Sequence, residues 1–279
     1  MTRESKLDDY GIRRQFSELA SILDEQVTVY LIGGGALTLE ELKPATKDID
    51  LIVRETAELD RLYAALESEG YAVPDEIDQE YEELEAAFIL QNGKRRFDVF
   101  DEQVAGVLKL SPGMIDRSEH LFDEGPLTVQ RVSLEDIFLF KAVANRDDDV
   151  DDMVTLAQAG VDDETVLDEI DTQLSILADD GFVRSMKYKM ERLADEGFDL
   201  DIQDEIEALH EQSSSADDVR QCIRTLAETE YTDDLYDGVP EWRIEQELGA
   251  DTTRRGIEWL KRIDEVERNG DDTLTLPTD

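Results

Sequence analysis

The sequence predicts an α+β fold: a small mixed β-sheet core with flanking helices, then a helical region and a C-terminal segment of two helices and a hairpin. Three observations carry that prediction. Apolar residues switch between helical and strand periods along the first part of the chain. Asn92-Gly93 separates two strand-like runs, the strongest short hairpin signal. From Asp162 to about Thr229 the period stays helical.

Taken in order, residues 6–23 repeat Leu, Ile and Phe at three- and four-residue steps, which predicts an amphipathic helix. "VTVYLI" (27–32) is β-branched and almost wholly apolar, as a strand covered on both faces would be. Gly33, Gly34 and Gly35 lead from it into the helical "ALTLEEL", and "DIDLIV" (48–53) is a second strand. A helix over 56–69 stops at Gly70, and "EAAFILQNGKRRFDVF" (85–100) forms the hairpin. After a loop containing Ser111-Pro112-Gly113, residues 126–132 form a short strand, and Ser133 caps a helix to about Asn145, with Asp136 complementing its dipole. The aspartate run from Asp147 opens a helix closed by Gly160, and the later helical stretch breaks at Asp180-Gly181, Gly197 and Ser213 to Ser215.

The last segment predicts a helix from Pro240 to Leu248, a Gly249 stop, an Asp251/Thr252 cap and a second helix to about Val266. An Asn269-Gly270 turn then leads into alternating "TLTL". This is the outline of a winged helix-turn-helix, with Trp242 and Trp259 expected in its core. The expected domains are 1–160, 161–232 and 233–279.

Asp and Glu number 71 against 28 Lys and Arg, a formal net charge of −43. Such self-repulsion belongs either to a disordered chain or to one that salt screens. Apolar periodicity runs almost throughout, so the expectation is a folded protein from a high-salt cytoplasm, with a source resembling a halophilic archaeon. The acidity also removes the usual basic footprint of a nucleic-acid binder as a guide. One cysteine, Cys222, excludes an intrachain disulfide; with two distant histidines, His120 and His210, it argues against a Cys/His zinc site. Any metal would be bound through oxygen. No apolar run is long enough for a bilayer, and charges fill "MTRESKLDDYGIRRQF" where a signal peptide needs its apolar core. A cytoplasmic protein without a membrane partner is expected.

Strand alternation places Asp48 and Asp50 on one face. Two carboxylates there are costly unless a cation neutralises them, so the pair predicts a metal site. Asp98, in "RRFDVF" on another strand of the sheet, supplies a third carboxylate, and three together suit hard divalent ions that bridge nucleotide phosphates. The glycines after the first strand let backbone N–H groups approach a phosphate, or else simply form a tight turn. No Gly-Lys-Ser/Thr follows them, and the dinucleotide spacing fails. Lys47 is either a nucleotide contact or an ordinary surface base.

"LIGGGALTLEELKPATKDIDLIV" resembles the signature of the DNA polymerase β-type nucleotidyltransferases, in which a strand enters a glycine turn and a D-x-D strand follows. "TKDIDL" and "FKAVANRDDDVDDMVTL" resemble the AbiEii-type members, known from abortive-infection toxin systems; the likeness covers residues 10 to 160. It implies a nucleotidyltransferase core over 1–160, with Gly33 and Gly34 as the phosphate-side turn and Asp48 and Asp50 as metal ligands. Asp98 would be the carboxylate that activates the acceptor, and Lys141, with Asp148 and Asp152, would match a lysine-acid helix pair. Lys141 then pairs with a triphosphate as a point charge or lies along the apolar "DIFLFKAV" face. Arg146 pairs with Asp149 or with a phosphate. The turn lacks the family's frequent Ser or Thr, having Gly35 and Ala36 instead, and its basic residues are sparse, Lys94, Arg95 and Arg96 being the main cluster.

The resulting expectation is transfer of a nucleoside monophosphate from an NTP to a hydroxyl of RNA or protein, with Mg2+ or Mn2+, in a toxin-antitoxin setting with an antitoxin-like partner. The alternative is an inactive nucleotide-sensing or DNA-binding regulator, with Arg254, Arg255, Lys261 and Arg262 meeting DNA phosphates or serving as salt partners of nearby acids. A structural interaction module is a third reading.

Overall fold

The computed structural model describes residues 6–77, 79–144, 146, 148–177, 181–198, 200–231, 238–269 and 272–277. It divides into two compact units, one of residues 1–169 and 189–200, the other of residues 170–188 and 201–279.

In the first unit, α1 (Asp9–Ala20) begins later than its apolar period suggests. Asp8 caps it by accepting from the Gly11 N–H, while Leu7 pairs with Thr46 as an isolated antiparallel bridge. β1 (Val27–Ile32), α2 (Gly33–Leu39), β2 (Ile49–Val53) and α3 (Thr56–Ser68) follow. α2 starts at the first glycine, so the expected turn is itself the first helical turn. α4 (Gln79–Glu82) is a single turn, and β3 (Phe88–Asn92) and β4 (Arg95–Asp101) are the expected hairpin.

Next come β5 (Gln103–Val104), β6 (Leu108–Lys109), α5 (Pro112–Arg117), β7 (Glu119–Glu124), β8 (Leu127–Arg131), α6 (Leu134–Val143) and α7 (Asp148–Ala159). β5, β6, α5 and β7 lie where a loop was expected. Ser111 caps α5 by accepting from the Met114 N–H, with Pro112 in its first turn. β7 is a polar edge strand, "EHLFDE", without apolar alternation to announce it.

Six strands form one mixed sheet in the order β3-β4-β2-β1-β8-β7. β1 runs antiparallel to β2 and parallel to β8, and β2 runs parallel to β4. β1 and β2 are buried almost throughout, as doubly covered strands must be. Ser133 caps α6 as expected, but Asp136 is buried and paired with Arg117, which also holds Glu169.

α8 (Asp163–Leu177), α9 (Gly181–Asp195) and α10 (Gln203–Thr229) supply the helical stretch. α9 ends ahead of Gly197, as expected, but α10 runs unbroken through Ser213 and Ser215. Ser215 satisfies its hydroxyl on the Glu211 carbonyl one turn back, which lets a serine remain in mid-helix.

In the second unit, α10 packs against β9 (Val239–Pro240), α11 (Glu241–Leu248) and α12 (Ala250–Arg262); β10 (Glu267–Arg268) and β11 (Thr273–Thr275) follow, the strands forming a sheet in the order β10-β11-β9. Gly249 stops α11 and stands directly before α12, so Asp251 lies in the first turn of α12 rather than at its cap. Trp259 is buried, but Trp242 is 56% exposed: α11 buries only Ile244, and a residue two positions away points elsewhere on the helix. The expected features at Asn145, Asp147, Asp180 and Gly270 lie outside the described residues.

Candidate active site

The site sits where β1 hands over to α2. Parallel pairing of β2 and β4 puts Asp50 and Asp98 at the same register, and Asp48 stands just ahead of β2. Oxygen atoms of Asp48, Asp50 and Asp98 all lie within 4.8 Å of one another, and all three side chains are buried. Burial, then the charges of Asp48 and Asp98, hold the Asp50 pKa well above the ordinary carboxylate range. Asp98 is raised to about 6, chiefly by burial, although Arg96 pulls it down. Three oxygen donors this close and this buried fit a hard divalent ion.

The glycines have a steric reason. A Cβ on Gly33, whose φ is +64°, would lie 2.2 Å from Asp50 Oδ2; one on Gly34 would lie 2.5 Å from Thr46 Oγ1. Glycine therefore lets the acidic strand close onto the turn. Thr46, fixed by its backbone pairing with Leu7, reaches Asp48 Oδ1 at 3.4 Å. A cavity of about 300 Å3 opens beside them, lined by Gly33, Asp50, Lys141 and Arg146 together with apolar Leu84 and Phe100.

Lys141 is buried rather than lying along an apolar face with its amine in water. Its Nζ donates to Asp149 Oδ1 at 2.6 Å and pairs with Asp152 Oδ2 at 2.8 Å, and Arg146 grips Asp149 at 3.0 and 3.2 Å. Burial works against the lysine's charge, but Asp149 and Asp152 more than offset it and its pKa rises. Among the described side chains, the acids that meet Lys141 are thus Asp149 and Asp152; the side chain of Asp148, which the family resemblance pairs with Asp152, lies outside them.

Lys43 and Tyr81 carry no signal in the sequence, whereas Lys47 and Arg96 are candidates there. Lys43 donates to both oxygens of Asp152, at 2.7 and 2.9 Å, and extends the alternating charges toward the glycine turn. Lys47 is exposed. Arg96 donates to both oxygens of Asp98, at 2.6 and 2.8 Å. Tyr81 brings its hydroxyl to 3.3 Å from Asp48 Oδ2, with the Arg96 and Arg146 guanidinium carbons 4.0 and 5.1 Å from its ring centre. Burial, then Asp48, raises the Tyr81 pKa, so the hydroxyl keeps its proton and donates. Lys43 and Tyr81 come from segments remote in sequence, and only the TK-D-I-D motif itself offered a signal for Thr46.

The basic residues of the C-terminal segment belong to the second unit. Within the second unit, Arg254 lies 3.5 Å from Asp251, and Arg262 pairs with Asp171. Arg254 and Lys261 are exposed, while Arg255 and Arg262 are half-buried. No described helix is long and apolar enough to cross a membrane.

Compared with curated proteins, the chain finds no match. The sequence profile of one family matches residues 10–196, a span covering the strands, the three carboxylates and the helices bearing Lys141 and Asp149. On that match, the chain belongs to the family described as "Nucleotidyltransferase of unknown function (DUF6036)".

Proposed function

We propose that the chain transfers a nucleoside monophosphate from an NTP to a hydroxyl, with Asp48, Asp50 and Asp98 holding divalent ions, Mg2+ or Mn2+. The observation that carries this reading is the convergence of three buried carboxylates on a glycine turn beside two paired cations. Bound divalent ions would neutralise phosphoryl charge and lower the pKa of an attacking hydroxyl. Gly33 and Gly34 let Asp50 and Thr46 close onto the turn, and Lys141 and Arg146 face the adjoining cavity with charge for the triphosphate. Asp98, ionised at neutral pH, accepts the acceptor hydroxyl's proton; the new O–P bond forms at the α-phosphorus as pyrophosphate leaves.

The AbiEii-like motifs favour a toxin-antitoxin setting with an RNA or protein acceptor, and the charge of −43 favours a high-salt cytoplasm. The test is incubation in molar KCl with each labelled NTP and Mg2+ or Mn2+, with wild type and Asp48→Ala/Asp50→Ala side by side. Label transferred by wild type alone supports the reading. No transfer and no metal-dependent NTP binding by wild type removes it.

A second reading concerns the C-terminal segment. The helix pair α11 and α12 beside a three-stranded antiparallel sheet favours a winged-helix-like module over 233–279, with exposed Arg254 and Lys261 available to DNA. Salt-sensitive duplex binding, lost in Arg254→Ala/Lys261→Ala, is its test. A protein that binds DNA yet transfers no nucleotide would be the regulator.

A further inference from the structure

We propose that Tyr81 is a positioning residue for the carboxylate triad, setting two of its three members at once: Asp48 through its hydroxyl, and Asp98 through Arg96 held on its ring. The inference rests on the metal-binding reading of the triad. It goes beyond that reading by assigning a role to a side chain outside the sheet, on the single-turn helix α4.

The geometry provides two separate handles. The hydroxyl donates to Asp48 Oδ2 at 3.3 Å, while Thr46 Oγ1 is on Oδ1 at 3.4 Å, so the carboxylate is restrained from both sides. The ring stacks under Arg96, 4.0 Å from its centre, and the same guanidinium donates to both oxygens of Asp98. A guanidinium over an aromatic ring is attracted to its π face and held planar, which suits it to present two parallel donors to a carboxylate. Arg146 approaches the ring as well, at 5.1 Å, so the ring also bears on a cation that lines the cavity. Asp48 belongs to the β2 end of the site and Asp98 to β4; Tyr81 spans both.

Partners of metal-binding carboxylates hold the donor oxygens in place before the ion arrives, and their loss commonly weakens metal binding by about 10- to 100-fold. Phenylalanine at position 81 removes only the hydroxyl, whereas leucine removes the ring as well. Mn2+ binding is therefore measured by electron paramagnetic resonance in molar KCl, without nucleotide, for wild type, Tyr81→Phe, Tyr81→Leu, Arg96→Lys and Asp50→Asn.

The expected result is binding about 10-fold weaker in Tyr81→Phe and weaker still in Tyr81→Leu. Arg96→Lys, which keeps the charge but loses the planar fork, should resemble the ring loss. Thermal unfolding without metal checks that each variant folds; if Tyr81→Leu does not, Tyr81→Phe and Arg96→Lys decide. Wild-type affinity in Tyr81→Phe, or in Arg96→Lys, overturns the inference while leaving the metal site standing. A wild type that binds no Mn2+, or whose binding survives Asp50→Asn, overturns the metal-site reading and the inference with it.

Discussion

Asp50 and Asp98 occupy the same register on the adjacent parallel strands β2 and β4, so backbone pairing sets two buried carboxylates side by side. Burial first, and the charge of Asp48 after it, raise both of their pKa values. Asp50→Asn keeps the shape and removes one charge. The expected outcome is a protein more stable without metal, by roughly 1–3 kcal/mol, in which transfer falls by at least about 100-fold. Paired urea unfolding and label-transfer assays check both halves.

The pH dependence follows from Asp98. Its pKa in the fold, about 6, lies above its value in the unfolded chain, so between the two values the native state holds the extra proton. Stability from this group is present at low pH and is lost as pH rises through about 6. Metal binding has the opposite sense, because it requires the carboxylate. Mn2+ affinity should rise by at least about tenfold per pH unit below that pKa, and go on rising above it while Asp50, whose pKa is also raised, still holds a proton, read by titrations from acid to alkaline pH.

Lys141 is expected to matter to folding before it matters to phosphate. Lys141→Met leaves Asp149 and Asp152 buried without that cation and should cost about 3–5 kcal/mol. Adding Asp149→Asn should recover part of the loss in urea unfolding, and transfer should remain impaired in the double variant.

Gly33→Ala tests the glycine turn. Its methyl group would meet the Asp50 carboxylate on a backbone of positive φ. The expected result is lower stability by about 1–3 kcal/mol and weaker Mn2+ binding, where a turn glycine with open space around it would lose stability alone. Calorimetric titration with Mn2+ separates the two outcomes.

Gly256→Ala probes the second unit. A Cβ there would lie 2.4 Å from the Ser215 carbonyl oxygen and 2.6 Å from Val219 Cγ2, where α12 crosses α10. Parting two helix backbones should cost about 1–3 kcal/mol, seen as a lower thermal midpoint, with the Mn2+ affinity of the triad unchanged.

Much of the triad was legible in the sequence because its signals are local. Alternation places Asp48 with Asp50, and the Asn92-Gly93 turn fixes the strand that carries Asp98. What escaped depends on distance along the chain. Tyr81 reaches Asp48 from 33 residues away and Lys43 reaches Asp152 from 109, and no period or spacing encodes such meetings. Ser213 to Ser215 look like a break because serine is a poor helix residue, but Ser215 finds a carbonyl within its own helix and packs against a glycine opposite. The glycine turn and D-x-D strand, being local, also carried the resemblance that the family match supports at the level of the nucleotidyltransferases.

The order in which the first unit is completed along the chain has a consequence during synthesis. Residues 189–200 belong with the triad, but residues 170–188, assigned to the other unit, are made before them. On a ribosome, the first unit therefore lacks its final piece until well after the last triad residue, Asp98, has emerged. A nascent chain stalled before residue 189 should be open to protease over its N-terminal half, whereas one released past residue 200 should resist. Completion of the unit that carries the triad would then be timed by elongation.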